Sequence, residues 1–483
     1  MQARLRPSAR RLGALARHVA AQQQPAAGIA YGDYLSATSA AREPSALRSL
    51  YPLLQIPGML SLGNGQPNPD SFPFASLSVT TKDGETFELE GAELDTAQQY
   101  ADTVGTASLR EWLESYIADE HAPPPLECGR DLIVTVGSQD GASSNDRALT
   151  LSPPLHADLR SLLPTALAKT IEMLCDRGDP VLLEDPSYPG AIGPLQAAGC
   201  ALVGVPVDTE GMVPSELERT LSEWTGGAKP RVLYLIPHGQ NPSGSTMPMQ
   251  RKEEIYAVAA RHSLLIIEDD PYYALQYGDA SNGSFASIDV DGRVLRLDSF
   301  SKVLGSGMRL GWASGPAPLI ERLMLAQQVS TMQASTMSMT LAARLLHSWG
   351  LDRYRAHVRE VRDFYAERRS FMQKCAEKHL TGLASWSAPS AGMFFWFDLT
   401  PSGVSDSAPV ILERCREQKV LLAPGSAFAT RPGPSPFARA AFSIASDEVI
   451  DEALARLGAV LREVKAENGV EAVASVDSVT NEQ

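Results

Sequence analysis

No stretch of this 483-residue chain approaches the roughly 18 consecutive apolar residues that a membrane-spanning helix needs. The five cysteines (Cys128, Cys175, Cys200, Cys375 and Cys415) are scattered, odd in number and without CxxC spacing. That pattern excludes a disulfide framework and a zinc knuckle and predicts reduced thiols. The eight histidines form no HxxxH or HExxH pair, so no metal site is expected. Positive charge is also scarce. The formal net charge is -15, and no basic stripe runs through the body, which argues against a nucleic-acid surface.

What is present is an ordinary globular composition, 44% apolar and 20% charged. The length suits one large domain with a smaller one. The first 25 residues carry five arginines and the first acidic residue is Asp33, so the remainder holds -20. This arginine-rich start, with Leu5, Leu12, Leu15 and Val19 at near-helical spacing, reads equally as a mitochondrial transit peptide or as a disordered extension over residues 1–30. The expected location is accordingly the mitochondrial matrix or the cytoplasm. Residues 467–483 are polar and unpatterned and read as a flexible tail.

Short β-branched or leucine-rich runs recur from residue 130 onward: "LIVTV" (132–136), "VLLE" (181–184), "ALVGVPV" (201–207), "VLYLI" (232–236), "LLIIEDD" (264–270), "VLRLDS" (294–299) and "RLGWAS" (309–314). They are apolar on both faces and separated by helical patterns such as 249–262. A mostly parallel sheet covered on both sides follows, hence an α/β fold. After residue 345 a long helical segment (352–379), strands within 392–399, 420–428 and 438–445, and a final helix (447–466) predict a smaller α+β unit. The expected division is a large domain over 90–345, interrupted at 142–166, and a small domain built from 40–89 and 346–466.

Ligands of parallel sheets sit beyond the carboxyl ends of the strands. The polar residues at those ends are Ser138 and Gln139, Asp185 to Tyr188, Asn241, Asp269 and Ser299 to Lys302. The set answers the needs of an aldehyde cofactor with a pyridine ring and a phosphate. Lys302 supplies a Schiff-base amine, and Asp269 a carboxylate to keep the ring nitrogen protonated. Tyr188 offers a stacking face, and Asn241 and Tyr272 offer partners for the ring oxygen. Ser138, Ser299, Ser301 and Arg309 are phosphate ligands. Singly, each has a plainer explanation: a surface turn for Lys302, a helix-capping pair for Asp269 and Asp270, a core tyrosine for Tyr188, a surface ion pair for Arg439.

The order and separation of "QNPSGSTM" (240–247), "LLIIEDDPYY" (264–273) and "DSFSKVLGSGMRLGW" (298–312) resemble the fold-type I pyridoxal-phosphate enzymes. Residues 40–462 resemble the class I/II aminotransferases. "SAAREPSALRSL" (39–50), "GNGQPNPDSFPF" (63–74), "GSQDG" (137–141), "IIEDDPYYALQY" (266–277) and "PSPFARAAFSIAS" (434–446) are most similar to the kynurenine/2-aminoadipate and fungal aromatic aminotransferase group. The resemblance implies a pyridoxal 5'-phosphate transaminase. It would move the amino group of aromatic amino acids, kynurenine included, and/or 2-aminoadipate to 2-oxoglutarate. Lys302 would then be the Schiff-base lysine and the acid and base of the proton shift, with Asp269 and Tyr272 beside it. Gln139 would join the phosphate ligands. Arg439 would clamp the substrate carboxylate bidentately, which lysine does less well, next to Asn241. Gly65, Arg48 and Phe394 would line the side-chain pocket. Tyr100 would reach the phosphate site of a neighbouring subunit, which implies a homodimer with shared active sites. A lyase or decarboxylase outcome would use the same cofactor.

One stretch departs from the family pattern. About 25 extra residues, Ala142 to Ala166, separate the "GSQDG" loop from the helix-like "ALAKTIEML". A phosphate loop works because a helix N-terminus follows it. The insertion therefore predicts a weakened cofactor site, or even a non-catalytic protein, unless it loops out and the helix start returns to place. An unspliced segment in the gene is the alternative origin of these residues.

Overall fold

The computed structural model describes residues 28–44, 56–58, 60, 65–137, 166–278 and 282–469. The predicted β runs assemble into an eight-stranded sheet. Its spatial order is Arg130–Thr135, Gly311–Pro316, Val294–Ser299, Leu265–Asp269, Val232–Leu235, Pro180–Asp185, Ala201–Asp208 and Gly211–Met212. From Val294–Ser299 to Ala201–Asp208 every pairing is parallel. Gly311–Pro316 runs antiparallel to both its neighbours. Six strands therefore finish on one edge of the sheet, and Gly311–Pro316 starts on it.

These strands lack polar alternation because both faces are covered. All residues of Val232–Leu235 and Leu265–Asp269 are buried. Helices Ala166–Leu174, Pro189–Ala198 and Ala317–Val329 pack one face through Leu167, Ile171, Leu195 and Leu323. Helices Pro214–Ser222 and Met249–Arg261 pack the other through Leu217, Leu221, Ile255 and Val258. The second of these matches the predicted 249–262 closely.

A separate core surrounds a three-stranded antiparallel sheet, Phe394–Asp398, Phe437–Ala441 and Ala423–Pro424. The strand expected over 420–428 shrinks to two residues because Gly425–Phe428 coils into a 3-10 turn. The helix expected over 352–379 extends over Thr336–Leu380, broken at Gly350 with φ 62° and ψ 178°. Only a residue without a Cβ takes that conformation cheaply. Leu89, Leu94 and Ala97, from strand Thr86–Glu90 and helix Gly91–Gln98, pack on Met337 and Leu341.

The sheet also encloses charge. Arg296 is buried and bonded to Glu268 at 2.9 Å, Asp270 at 2.8 Å and Asp298 at 2.8 Å. Asp270 also contacts His238 Nδ1 at 2.8 Å. Lys252 Nζ reaches His238 Nε2 at 2.9 Å and the carbonyls of Met247 and Gly283. His238 Nε2 also lies 3.0 Å from the Asn282 carbonyl oxygen. Burial holds the His238 pKa down at about 4, which keeps the ring neutral. Removing one member of such a buried set leaves charges unpaired and costs several kcal/mol. Arg296→Met is expected to lower unfolding free energy by roughly 3–5 kcal/mol, read from the urea midpoint. A loss under about 1 kcal/mol, the range of an exposed pair, would show that the cluster contributes little.

Candidate active site

Val294–Ser299 leaves the sheet and enters a 3-10 turn, Phe300–Lys302. Ser299 Oγ accepts the Ser301 N–H at 3.1 Å and so caps the turn that carries Lys302. Lys302 Nζ lies 5.8 Å from the centre of the Tyr272 ring. Burial, and secondly the charge of Arg309, lowers the Lys302 pKa and favours the neutral amine. Arg309 stands where the reversed strand begins, at φ 52° and ψ 47°. That left-handed conformation costs a residue with a Cβ roughly 1–2 kcal/mol. Such strain is characteristic of functional positions.

Asp269, the last residue of Leu265–Asp269, is fully buried. Tyr234 Oη donates to its Oδ2 at 2.7 Å. Tyr272 follows three residues later, buried, edge-on to Phe394 with centroids 5.9 Å apart. Asn241, nearly buried, accepts at Oδ1 from Arg439 Nη1 at 2.8 Å. Arg439 comes from the smaller sheet, in register with Trp396 and Ala423. Its guanidinium lies between two aromatic faces, 4.4 Å from Phe394 and 4.8 Å from Phe428. Burial lowers its pKa. Arg439 Nε is buried and has no acceptor among the described residues. A surface ion pair is therefore excluded for Arg439, and a helix cap for Asp269.

Tyr188 opens helix Pro189–Ala198. A Cβ at Gly190 would come within 2.1 Å of Tyr188 Cε1, so glycine there admits the ring. Gln240 ties this loop to the next: its Nε2 donates to Pro186 O at 2.8 Å and to Glu184 Oε2 at 3.3 Å. Two bonds cross to the smaller sheet. Ser187 N–H donates to Phe428 O at 2.8 Å, and Thr430 N–H to Asp185 Oδ1 at 3.2 Å.

Lys302, Asp269, Tyr272, Asn241, Tyr188, Ser299, Ser301, Arg309, Arg439 and Phe394 thus come from the ends of neighbouring strands and the facing small sheet. Gly65 is exposed, with nothing within 4 Å of where a Cβ would stand. Tyr100 is 48% exposed. Ser138, Gln139, Arg48 and nearly all of the insertion lie outside the described residues. Its flanks are described, and they meet: the Ala166 N–H reaches Gly137 O at 3.4 Å. The helix start has returned to the strand exit. Tyr234, Glu184, Gln240 and Phe428 escape sequence reasoning, since each sits in an apolar run or motif interior that reads as core.

A buried carboxylate, an aromatic face, an amine of lowered pKa and a strained arginine beside two serines form a graded donor set. It fits a pyridine aldehyde carrying a phosphate.

A model of the family described as aminotransferase class I and II matches residues 164–457. The mitochondrial kynurenine/alpha-aminoadipate aminotransferase of Bos taurus is 38% identical over 448 residues, 90% of this chain and 99% of that protein. An aromatic amino acid aminotransferase of Schizosaccharomyces pombe is 30% identical, over 89% of this chain and 97% of its own. Among solved structures, an aminotransferase of Candida albicans superposes with TM-score 0.77 at 28% identity, covering 91% of this chain and 99% of that one. A Pyrococcus horikoshii kynurenine aminotransferase in complex with PMP gives TM-score 0.66 at 27% identity, over 90% and 98%.

Glu184 gives a pH test. Burial raises its pKa from 4.5 to about 8, so the folded protein keeps a proton that the unfolded chain releases. Stability should fall as pH rises between those values. Glu184→Gln retains shape and neutrality. Its thermal midpoint relative to wild type is expected to climb from about pH 5 to about pH 8.5, and a difference that stays constant with pH would refute the assignment.

Proposed function

Because the chain belongs to the class I and II aminotransferases, pyridoxal-phosphate enzymes, we propose that it transfers the amino group of aromatic amino acids, kynurenine among them, and/or of 2-aminoadipate to 2-oxoglutarate. The observation that carries the reading is Arg439. A guanidinium held between Phe394 and Phe428, fixed by Asn241 and with a buried Nε lacking an acceptor, suits a carboxylate placed against aromatic walls. The names of the relatives support the same substrates.

Pyridoxal phosphate, when bound, supplies an aldehyde carbon for the amino group and a ring that takes up the electron pair released at the substrate's α-carbon. The chain's residues do the rest. Lys302 Nζ, its pKa lowered by burial, would take the α-proton and return it one position away. A positioned base of this kind contributes roughly 10²–10⁴ in rate. Asp269 would keep the proton on the ring nitrogen, and Tyr188 would offer the ring a stacking face. Ser299, Ser301 and Arg309, with Ser138 and Gln139, would hold the phosphate. Asn241, bonded to Arg439, would also be the partner of the ring oxygen. The non-catalytic alternative required a displaced helix at 166–174, and the contact between Ala166 and Gly137 argues against it.

A homodimer completes the proposal, with Tyr100 serving the partner's phosphate site. Tyr100 is about half exposed, at 48%, which leaves its ring accessible to a second subunit. Relatives named as mitochondrial support the mitochondrial matrix, with the cytoplasm as the alternative, and a reporter fused to residues 1–30 tests the location.

Two measurements check the enzyme assignment. Lys302→Ala is expected to lose the red-shifted visible absorption of the lysine-bound cofactor and to transaminate at least about 10²-fold more slowly. An unchanged band would remove Lys302 from its role. Half-reactions with tyrosine, kynurenine, 2-aminoadipate and aspartate should favour the first three. Turnover of aspartate alone would overturn the substrate assignment, and β-elimination or carbon dioxide release would replace transamination by a lyase.

A further inference from the structure

Tyr234 has no place in the reaction described above, yet its hydroxyl donates to Asp269 Oδ2 at 2.7 Å. We propose that Tyr234 is a positioning residue for the ring end of the cofactor, its hydroxyl fixing the orientation of the Asp269 carboxylate. The inference rests on the reading of Asp269 as partner of the ring nitrogen.

Placement follows from the sheet. Tyr234 pairs with Ile267 on the neighbouring parallel strand. Asp269 is two residues beyond Ile267, so its side chain emerges on the same face. Tyr234 and Ile267 share one apolar cluster with Leu183 and Tyr272, which packs the phenol ring on all sides. Both Tyr234 and Asp269 are fully buried. The hydroxyl carries one proton and directs it to Asp269 Oδ2 at 2.7 Å, within the range of a charge-assisted O–H···O⁻ bond. Burial raises the Tyr234 pKa, so this donor persists over the working pH range. A carboxylate at a strand end otherwise turns about its terminal torsion, which is broad. A donor held by the next strand removes that freedom at a point where a misdirected charge would weaken the ring's proton. Glu184, on the strand beyond, has its pKa raised to about 8, chiefly by burial and further by the nearby Asp269.

Any buried tyrosine needs a partner for its hydroxyl, so loss of stability alone would not separate positioning from packing. Tyr256→Phe is the control. Tyr256 is also buried and also donates to carboxylates, Asp289 and Asp291, remote from the strand ends. Three purified proteins, wild type, Tyr234→Phe and Tyr256→Phe, are titrated with pyridoxal 5'-phosphate. The visible band of each is then followed against pH.

Tyr234→Phe is expected to weaken pyridoxal-phosphate binding about 10- to 100-fold, the range of a hydrogen bond to a charged group. Its visible-band pH midpoint should move upward, because a ring nitrogen that holds its proton less firmly draws less charge from the Lys302 nitrogen. Its apo thermal midpoint should match that of Tyr256→Phe, whose cofactor affinity and spectrum stay at the wild-type value. Wild-type affinity and spectrum in Tyr234→Phe would overturn the proposal, as would losses that merely follow a lower apo stability. Asp269→Asn is measured alongside. If that variant binds and absorbs like wild type, the reading of Asp269 itself fails, which is a different result from failure of Tyr234 alone.

Discussion

The direction of one strand governs the site. Gly311–Pro316 lies between Arg130–Thr135 and Val294–Ser299 and opposes both. Were it parallel, its start would lie at the far end of the sheet, and Arg309 with it. Reversal allows the chain to leave Val294–Ser299, place Lys302 in a single 3-10 turn and re-enter at once. The lysine and the arginine therefore share an edge. The short return also explains the backbone of Arg309. A tight re-entry needs a left-handed residue, and a functional arginine there accepts strain that glycine would avoid.

The same edge concentrates charge that water cannot reach. Asp269 and Asp270 are adjacent and both buried, yet they alternate faces and meet different partners. Asp269 meets a phenol on the active face. Asp270 meets His238 and Arg296 on the other. Alternation along the chain thus gives two adjacent carboxylates different surroundings, a phenol for Asp269 and an imidazole with a guanidinium for Asp270.

Much of this was legible in the sequence. The seven predicted runs are strands because β-branched stretches buried on both faces have few alternatives at that length. Asp269, Lys302 and Asn241 were found by position alone, as the residues that follow strands. The resemblance to a family supplied Arg439, which no periodicity marks. Illegible parts have physical causes. Helix Ala166–Leu174 is buried at every position but Glu172, so it shows no polar face, and its start after an insertion hid its return to Gly137. Gly425–Phe428 reads as a strand because its apolar residues are needed around Arg439, which requires a turn. Tyr234 reads as core, because its hydroxyl acts across the sheet and leaves no mark along the chain.

Arg439 also joins the two sheets. Lys302, Asp269 and Tyr188 belong to the large sheet, and the guanidinium that bonds Asn241 comes from the small one. Several bonds link them: Arg439 to Asn241, Ser187 to Phe428, Asp185 to Thr430, the Tyr277 N–H to Ser390 O and the Gly392 N–H to Leu275 O. Phe394, from the small sheet, shares one apolar cluster with Tyr234 and Tyr272 and lies 4.4 Å from the Arg439 guanidinium, so the edge of the large sheet and the small sheet pack as one unit around that guanidinium.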